Sequence, residues 1–163
     1  MTPGGHSAPP HVAAGLSTRA LAALIDTVVS VAAGLLLAVP AIAIVIVGGT
    51  WTRRPDGTRV LESVPPAGLV LLALAVAALV AVPAWNRGIR QGRTGQSLGK
   101  QRLGVFLLDR RTGEPLGAGR GLMRWLSSIV LAVPCLLTYL WAVVDSHART
   151  WHDLLAGSWV VRR

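Results

Sequence analysis

Residues 19–47 read RALAALIDTVVSVAAGLLLAVPAIAIVIV, and how this stretch is read decides the fold. From Ala20 to Val47 it runs for 28 residues with a single charge, Asp26. As a helix that run is about 42 Å long, against a hydrocarbon core of about 30 Å. It spans a bilayer by tilting, by bending at Pro40, or by leaving one end among the headgroups. A charge at the bilayer centre costs roughly 2.5–3.5 kcal/mol on insertion scales, so a carboxylate is retained there when it has a partner or a task. Arg19 stands seven residues before Asp26. That is almost two turns, which puts both residues on one helix face, about 10.5 Å apart along the axis. A cleavable signal peptide is the rival reading, because Ala41-Ile42-Ala43 has the small-residue form of a cleavage site. Asp26 inside the run, and apolar residues continuing past that site, argue against it.

The rest of the composition agrees with a membrane protein. The 163 residues allow one domain. Hydrophobic residues make up 52% and mean hydropathy is +0.55, too high for an ordinary soluble domain of this size. The apolar mass is Leu, Val, Ala and Ile in long runs, with one Phe and one Tyr against six Trp. Most of the Trp flank the runs, as interfacial anchors do. The formal net charge is +9, and the positive residues concentrate in one loop beside the apolar runs. That arrangement fits topology-setting charge facing anionic lipid, and not a nucleic-acid surface. Cys135 is the single cysteine and forms neither an internal disulfide nor a metal cluster by itself. There is no C-x-x-C or H-E-x-x-H pattern, and no enzyme activity, metal or cofactor is expected. GQSLGKQ at 95–101 has the outline of a phosphate loop. However, Thr94 stands where a glycine is required, and Gln101 where Ser or Thr is required.

The pattern predicts an all-α membrane protein with three hydrophobic membrane segments, about 20–47, 67–85 and 121–144, and a basic amphipathic cytoplasmic loop. Residues 1–18, rich in Pro, Gly and Ala, read as a disordered tail before a membrane domain over 19–163. Between the first two segments lies a short loop with Trp51 and a turn at Pro55-Asp56-Gly57. In the second segment Ala73, Ala77 and Ala81 recur every fourth residue, a smooth face for packing on another helix. Residues 86–120 carry eight cationic against two acidic side chains, a net of +6. The positive-inside bias makes this loop cytoplasmic, and the N-terminus with it. Within it, Leu98 to Leu108 reads as an amphipathic interfacial element and Arg110 to Pro115 as a turn. The third segment, Gly121 to Val144, is entered through Arg124-Trp125 and interrupted by Pro134. It either crosses once or turns back as a re-entrant hairpin, and these alternatives put the C-terminal tail on opposite sides. Ala156-Gly157-Ser158 reads as a tight turn before a strand-like Trp159-Val160-Val161.

Four pieces now stand in order: R-x-x-A-x-x-x-D at Arg19, Ala22 and Asp26; G-x-S-x-G-K-x-x-x-G at Gly95, Ser97, Gly99, Lys100 and Gly104; Arg124; and HDLLAGSWVV from His152 to Val161. The ordered set resembles the RDD family of small bacterial membrane proteins, named for an arginine and two aspartates. Ser97 and Ser158 stand where family members often carry Thr, which keeps the hydroxyl. The second signature aspartate is Asp153 or Asp145, with Asp153 the better fit to the HD-x-x-A-G pattern. The resemblance implies a multi-pass protein of the bacterial inner membrane with a transport-related function, such as exchange of protons for monovalent cations.

Each candidate site has two readings. Arg19 and Asp26 are either a titratable pair in a proton or cation path or a permanent ion pair fixing helix register. Arg124 either reaches toward Asp26 or anchors its segment at the headgroups. His152 and Asp153 form a proton relay, or Asp153 pairs locally with Arg149. The glycines around Lys100 let backbone approach a headgroup phosphate, or simply reverse the chain; Arg93, Lys100 and Arg102 are the headgroup candidates. Three helices enclose little interior, so transport calls for a homo-oligomer or a larger membrane partner. The alternative function is a non-catalytic accessory or assembly subunit of a membrane complex.

Overall fold

A computed structural model of the chain describes residues 12–130 and 155–162. In chain order the elements are β1 (Val12–Ala13), α1 (Leu16–Gly48), β2 (Thr50–Arg53), β3 (Arg59–Ser63), α2 (Pro66–Pro83), a π-helical stretch (Ala84–Arg90), α3 (Gln91–Thr94), α4 (Leu98–Arg102), β4 (Val105–Asp109), α5 (Ala118–Val130) and β5 (Ser158–Arg162). They fall into two units, Ile25–Trp85 and the residues on either side of it.

Along α1, and through the Ile25–Trp85 unit that holds most of it, the long apolar side chains point away from the protein. Along α1 the buried positions are Ala22, Asp26, Ser30 and Gly34, one every fourth residue, and then Ala41, while Leu24, Val28, Leu35, Leu36, Val39, Ile42 and Val47 are exposed. A helix of a soluble protein does the reverse. Small and polar residues face protein here, and large apolar ones face outward. Both α1 and the continuous helical stretch Pro66–Thr94 are long and apolar enough to cross a membrane, and only 11% of the most apolar window of each is buried. The core helix of a soluble protein would have most of that window inside. α1 continues through Pro40. Its contacts with α2 run through glycines: a Cβ on Gly34 would sit 2.5 Å from Leu79, and one on Gly68 3.3 Å from the Ala41 carbonyl oxygen. The two helices are joined by the hairpin β2–β3, paired Trp51↔Leu61 through Arg53↔Arg59. Its turn is closed by Asp56, which accepts from the Thr58 N–H at 2.9 Å and the Thr58 hydroxyl at 2.7 Å, with Gly57 at φ +86°.

The second unit is built on a three-stranded antiparallel sheet in the order β1-β5-β4. β4 pairs with β5 from Val105↔Arg162 to Asp109↔Ser158, and β1 covers the other edge of β5 at Val12↔Arg162 and Ala13↔Val161. Val105, Leu107 and Val160 pack with Ala14 and Leu116 as its core.

Several expectations are corrected. The chain is mostly helical but not all-α, because VFLLD and SWVVR are short, β-branched or apolar runs that satisfy backbone groups by pairing with each other. The interfacial element expected over 98–108 is a single helical turn followed by the most buried strand of the sheet. The tail expected over 1–18 is already ordered at Val12, where it is needed as an edge strand, and α1 starts at Leu16. Ala73, Ala77 and Ala81 are exposed; Gly68 and Ala75 lie on the packed face of α2 instead. The third segment is described only as far as the end of α5 at Val130, so Pro134 and the choice between crossing and returning lie outside the described residues. The strand-like reading of Trp159-Val160-Val161 agrees with β5.

Candidate functional site

Asp26 is 3% exposed on a helix whose other faces carry Leu, Val and Ile outward. Its backbone carbonyl accepts from Ser30 Oγ at 2.8 Å. Arg19 lies two turns earlier on α1 and is half-buried. Arg124, on the packed side of α5 with Gly121 and Trp125, is 8% exposed. Arg19 and Arg124 belong to the sheet unit, whereas Asp26 is at the start of the other. A buried guanidinium and a buried carboxylate are each retained at a desolvation cost of several kcal/mol, so neither is surface decoration.

One turn before Asp26, α1 is held by the basic loop. Arg87 donates to the Ala23 carbonyl at 2.8 Å. Gly99 lies so close that a Cβ there would collide with the Ala22 carbonyl oxygen and sit 3.2 Å from its Cα. The backbone of the G-x-S-x-G-K run therefore approaches protein. Gly95 takes φ +77° after α3, and its carbonyl accepts from the Leu107 N–H at 2.7 Å. Ser97, fully buried, caps α4 by accepting from the Lys100 N–H at 3.3 Å. Gly95-x-Ser97-x-Gly99 also has the spacing of a nucleophile elbow, a G-x-S-x-G pattern that the sequence reading took to be absent, but that device needs an exposed hydroxyl between a strand and a helix. Ser97 is a buried cap between two short helices. Asn86, also fully buried, accepts from the Leu98 N–H at 2.9 Å. Oriented by its neighbours, the Gln91 amide donates to the Arg87 carbonyl at 3.1 Å and accepts from Lys100 Nζ. Arg90 donates to the Gln96 carbonyl at 2.8 Å and to Gln101 Oε1 at 2.7 Å.

A further set escaped the sequence reading. Gly88-x-x-x-Gly92, running from the π-helical stretch into α3, meets Gly117-x-x-x-Gly121, which leads into α5. A Cβ on Gly92 would strike the Gly117 carbonyl, one on Gly121 the Gly88 carbonyl, and the Gly117 N–H donates to the Gly92 carbonyl at 2.8 Å. The paired small-x-x-x-small spacing was the available signal.

At the far end of β4, Asp109 accepts from the backbone N–H of Arg111 at 2.7 Å and, more weakly, of Thr112 at 3.4 Å, and it is paired with Arg120. The Arg111 N–H first, then the Arg120 guanidinium, hold its carboxyl below the usual carboxylate range. Arg120 also donates to the Ala156 carbonyl at 2.6 Å, joining α5 to the chain before β5.

Of the other sequence candidates, Arg93 and Arg102 are exposed, and Lys100 is half-buried on Gln91. Asp145, His152 and Asp153 lie outside the described residues. No group of three metal-ligating side chains occurs among the described residues.

Over 90 residues, 54% of this chain, the sequence is 38% identical to a proline-rich antigen of Mycobacterium leprae (strain TN), covering 36% of that protein. Over 69 residues, 42% of the chain, it is 35% identical to a proline-rich antigen homolog of Mycobacterium tuberculosis (strain ATCC 25618 / H37Rv), covering 29% of it. The chain thus spans about a third of the length of the relatives it matches. No solved structure matches it. The model of the RDD family matches residues 13–157, which take in Arg19, Asp26, the glycine run and Arg124, and the chain belongs to the RDD family.

Proposed function

We propose that the protein is a transport-related, non-catalytic component of the bacterial inner membrane, exchanging protons for monovalent cations through Asp26. It would work as a homo-oligomer or with a larger membrane partner. The observation that carries this reading is the burial of Asp26 in the small, polar stripe of a helix that otherwise turns apolar side chains outward. An ionisable group on the interior face of a membrane helix marks a functional site by default, and ion and proton pathways are among the roles such groups serve. In this reading Arg19 and Arg124 are the cationic groups of the path, and Asp153 or Asp145 supplies its second carboxylate. Two apolar helices are too few to surround a water-filled path, which is why an assembly is part of the proposal.

A second reading rests on the same stripe: Ala22, Ser30 and Gly34 beside Asp26 also suit helix association, and the matched relatives are about three times longer than the part aligned here. In that reading the chain is the membrane-embedded accessory part of an assembly. One experiment separates them. Purified protein is reconstituted in vesicles carrying a pH-sensitive dye, a proton gradient is imposed, and sodium, lithium or potassium is added to wild type and Asp26→Asn. A cation-triggered proton flux that the variant loses, while still inserting and assembling, supports exchange. A silent, correctly folded wild type whose Asp26→Asn form loses abundance or partners supports the accessory role and ends the autonomous exchanger.

A further inference from the structure

An open cleft of ≈ 640 Å³ lies at the end of β4, lined by Asp109, Arg110, Arg111, Thr112, Arg120, Leu155, Ala156 and Gly157. Three arginines and one aspartate are among the lining residues, a local charge of +2. Asp109 and the Ala156 carbonyl already hold Arg120. Arg110 and Arg111 are tied to the fold through their backbones, the Arg110 N–H to the Gly157 carbonyl at 3.1 Å and the Arg111 N–H to Asp109. Their exposed side chains have no hydrogen bond or ion pair among the described residues. The backbone of this turn is fixed while its two guanidinium forks stay available. Glu114, at the end of the turn, does not line the cleft.

The rim carries a second, independent feature. α5 is amphipathic in the inverted sense: Gly121, Arg124 and Trp125 are packed, while Met123 is 67% exposed and Leu126, Ile129 and Val130 are also exposed. Arg120 and Met123 are neighbours at i and i+3 on that helix. Leu155, 73% exposed, lines the cleft itself. Cationic forks beside an uncovered apolar face are what an anionic headgroup with its acyl chains satisfies, and guanidinium binds phosphate oxygens in bidentate fashion. We infer that this cleft binds a phosphate-bearing anion through Arg110, Arg111 and Arg120, and that the source is a lipid headgroup whose acyl chains lie along Leu155 and the exposed face of α5. The site is distinct from Asp26 and does not depend on transport.

Full-length protein in a neutral detergent is titrated separately with phosphatidylglycerol, phosphatidylcholine and inorganic phosphate, following thermal stability and lipid retention in native mass spectra. Wild type is expected to prefer phosphatidylglycerol to phosphatidylcholine. Arg110→Gln/Arg111→Gln is expected to lose about 30-fold in phosphatidylglycerol affinity, roughly fivefold for each guanidinium at an anionic surface. The matched change Arg53→Gln/Arg54→Gln in the β2–β3 hairpin removes the same charge from a different place and is expected to leave that affinity unchanged. Leu155→Asn weakens lipid but not inorganic phosphate. If inorganic phosphate binds as tightly as phosphatidylglycerol and Leu155→Asn changes neither, the anion site stands but its source is a free phosphate group. Equal binding by wild type and the Arg110/Arg111 double variant, or equal losses in both double variants, overturns the site.

Discussion

Two glycines in α5, two positions apart, give opposite predictions on substitution by alanine. Gly119 has nothing within 4 Å of the place a Cβ would occupy. There Ala lowers the entropy of the unfolded chain and favours the helix, a gain of about 0.4–1 kcal/mol. At Gly121 the new methyl would overlap the Gly88 carbonyl oxygen and lie 2.7 Å from the Gly92 Cα. Both are backbone atoms, so no side chain can rotate away and the two helices must separate. Overpacking of this kind costs about 1–3 kcal/mol. With two backbone contacts the upper end applies, and the helix-propensity gain of about 1 kcal/mol leaves a net loss near 2 kcal/mol. The variants should therefore differ by about 2.5–3 kcal/mol, most of it from packing. The assay is reversible denaturant unfolding of the detergent-solubilised protein followed by Trp fluorescence, with Trp125, packed one turn from Gly121, as a local reporter. If Gly121→Ala were as stabilising as Gly119→Ala, the crossing of the two G-x-x-x-G runs would be wrong.

Other outcomes follow from single contacts. Asp109 ionises below the ordinary carboxylate value of about 3.9. Its contribution to stability is therefore complete above about pH 4 and is lost as pH falls through the folded-state value. An acid-unfolding series should show that slope in wild type and a flatter one in Asp109→Asn. Asn86→Ala removes the buried acceptor of the Leu98 N–H, for a loss of about 1–3 kcal/mol, read in the same denaturant titration. Ser97→Ala removes the cap of α4 at a cost of about 1 kcal/mol, whereas Ser97→Thr, which keeps the hydroxyl, should recover part of it; hydrogen exchange at Lys100 reports the difference.

Most of what was legible in the chain was local. The run from Ala20 to Val47 announces a membrane helix because length and apolarity are properties of a continuous segment. Asp26 stands out for the same reason, as does Arg19 at helical spacing from it. The glycine run was readable as close backbone approach, but what it approaches was not, since Ala22 is 77 residues away in sequence from Gly99. The strands were half visible: Trp159 to Val161 has β-branched character, whereas Val105 to Leu108, flanked by arginines, fits an interfacial helix as well as a strand. Periodicity cannot separate a short apolar strand from a short apolar helix.

By itself, then, the amino-acid order determined the long apolar helices, the basic loop between segments and the family, all of which depend on composition and spacing within one stretch. Only the tertiary structure decided which face of α1 is buried, which strand pairs with which, and that Arg110, Arg111 and Arg120 share one cleft with Leu155. Those are non-local facts: a backbone donor, a guanidinium or a methyl-sized gap is matched by whatever the rest of the chain brings alongside it, and one segment's sequence does not contain its partner.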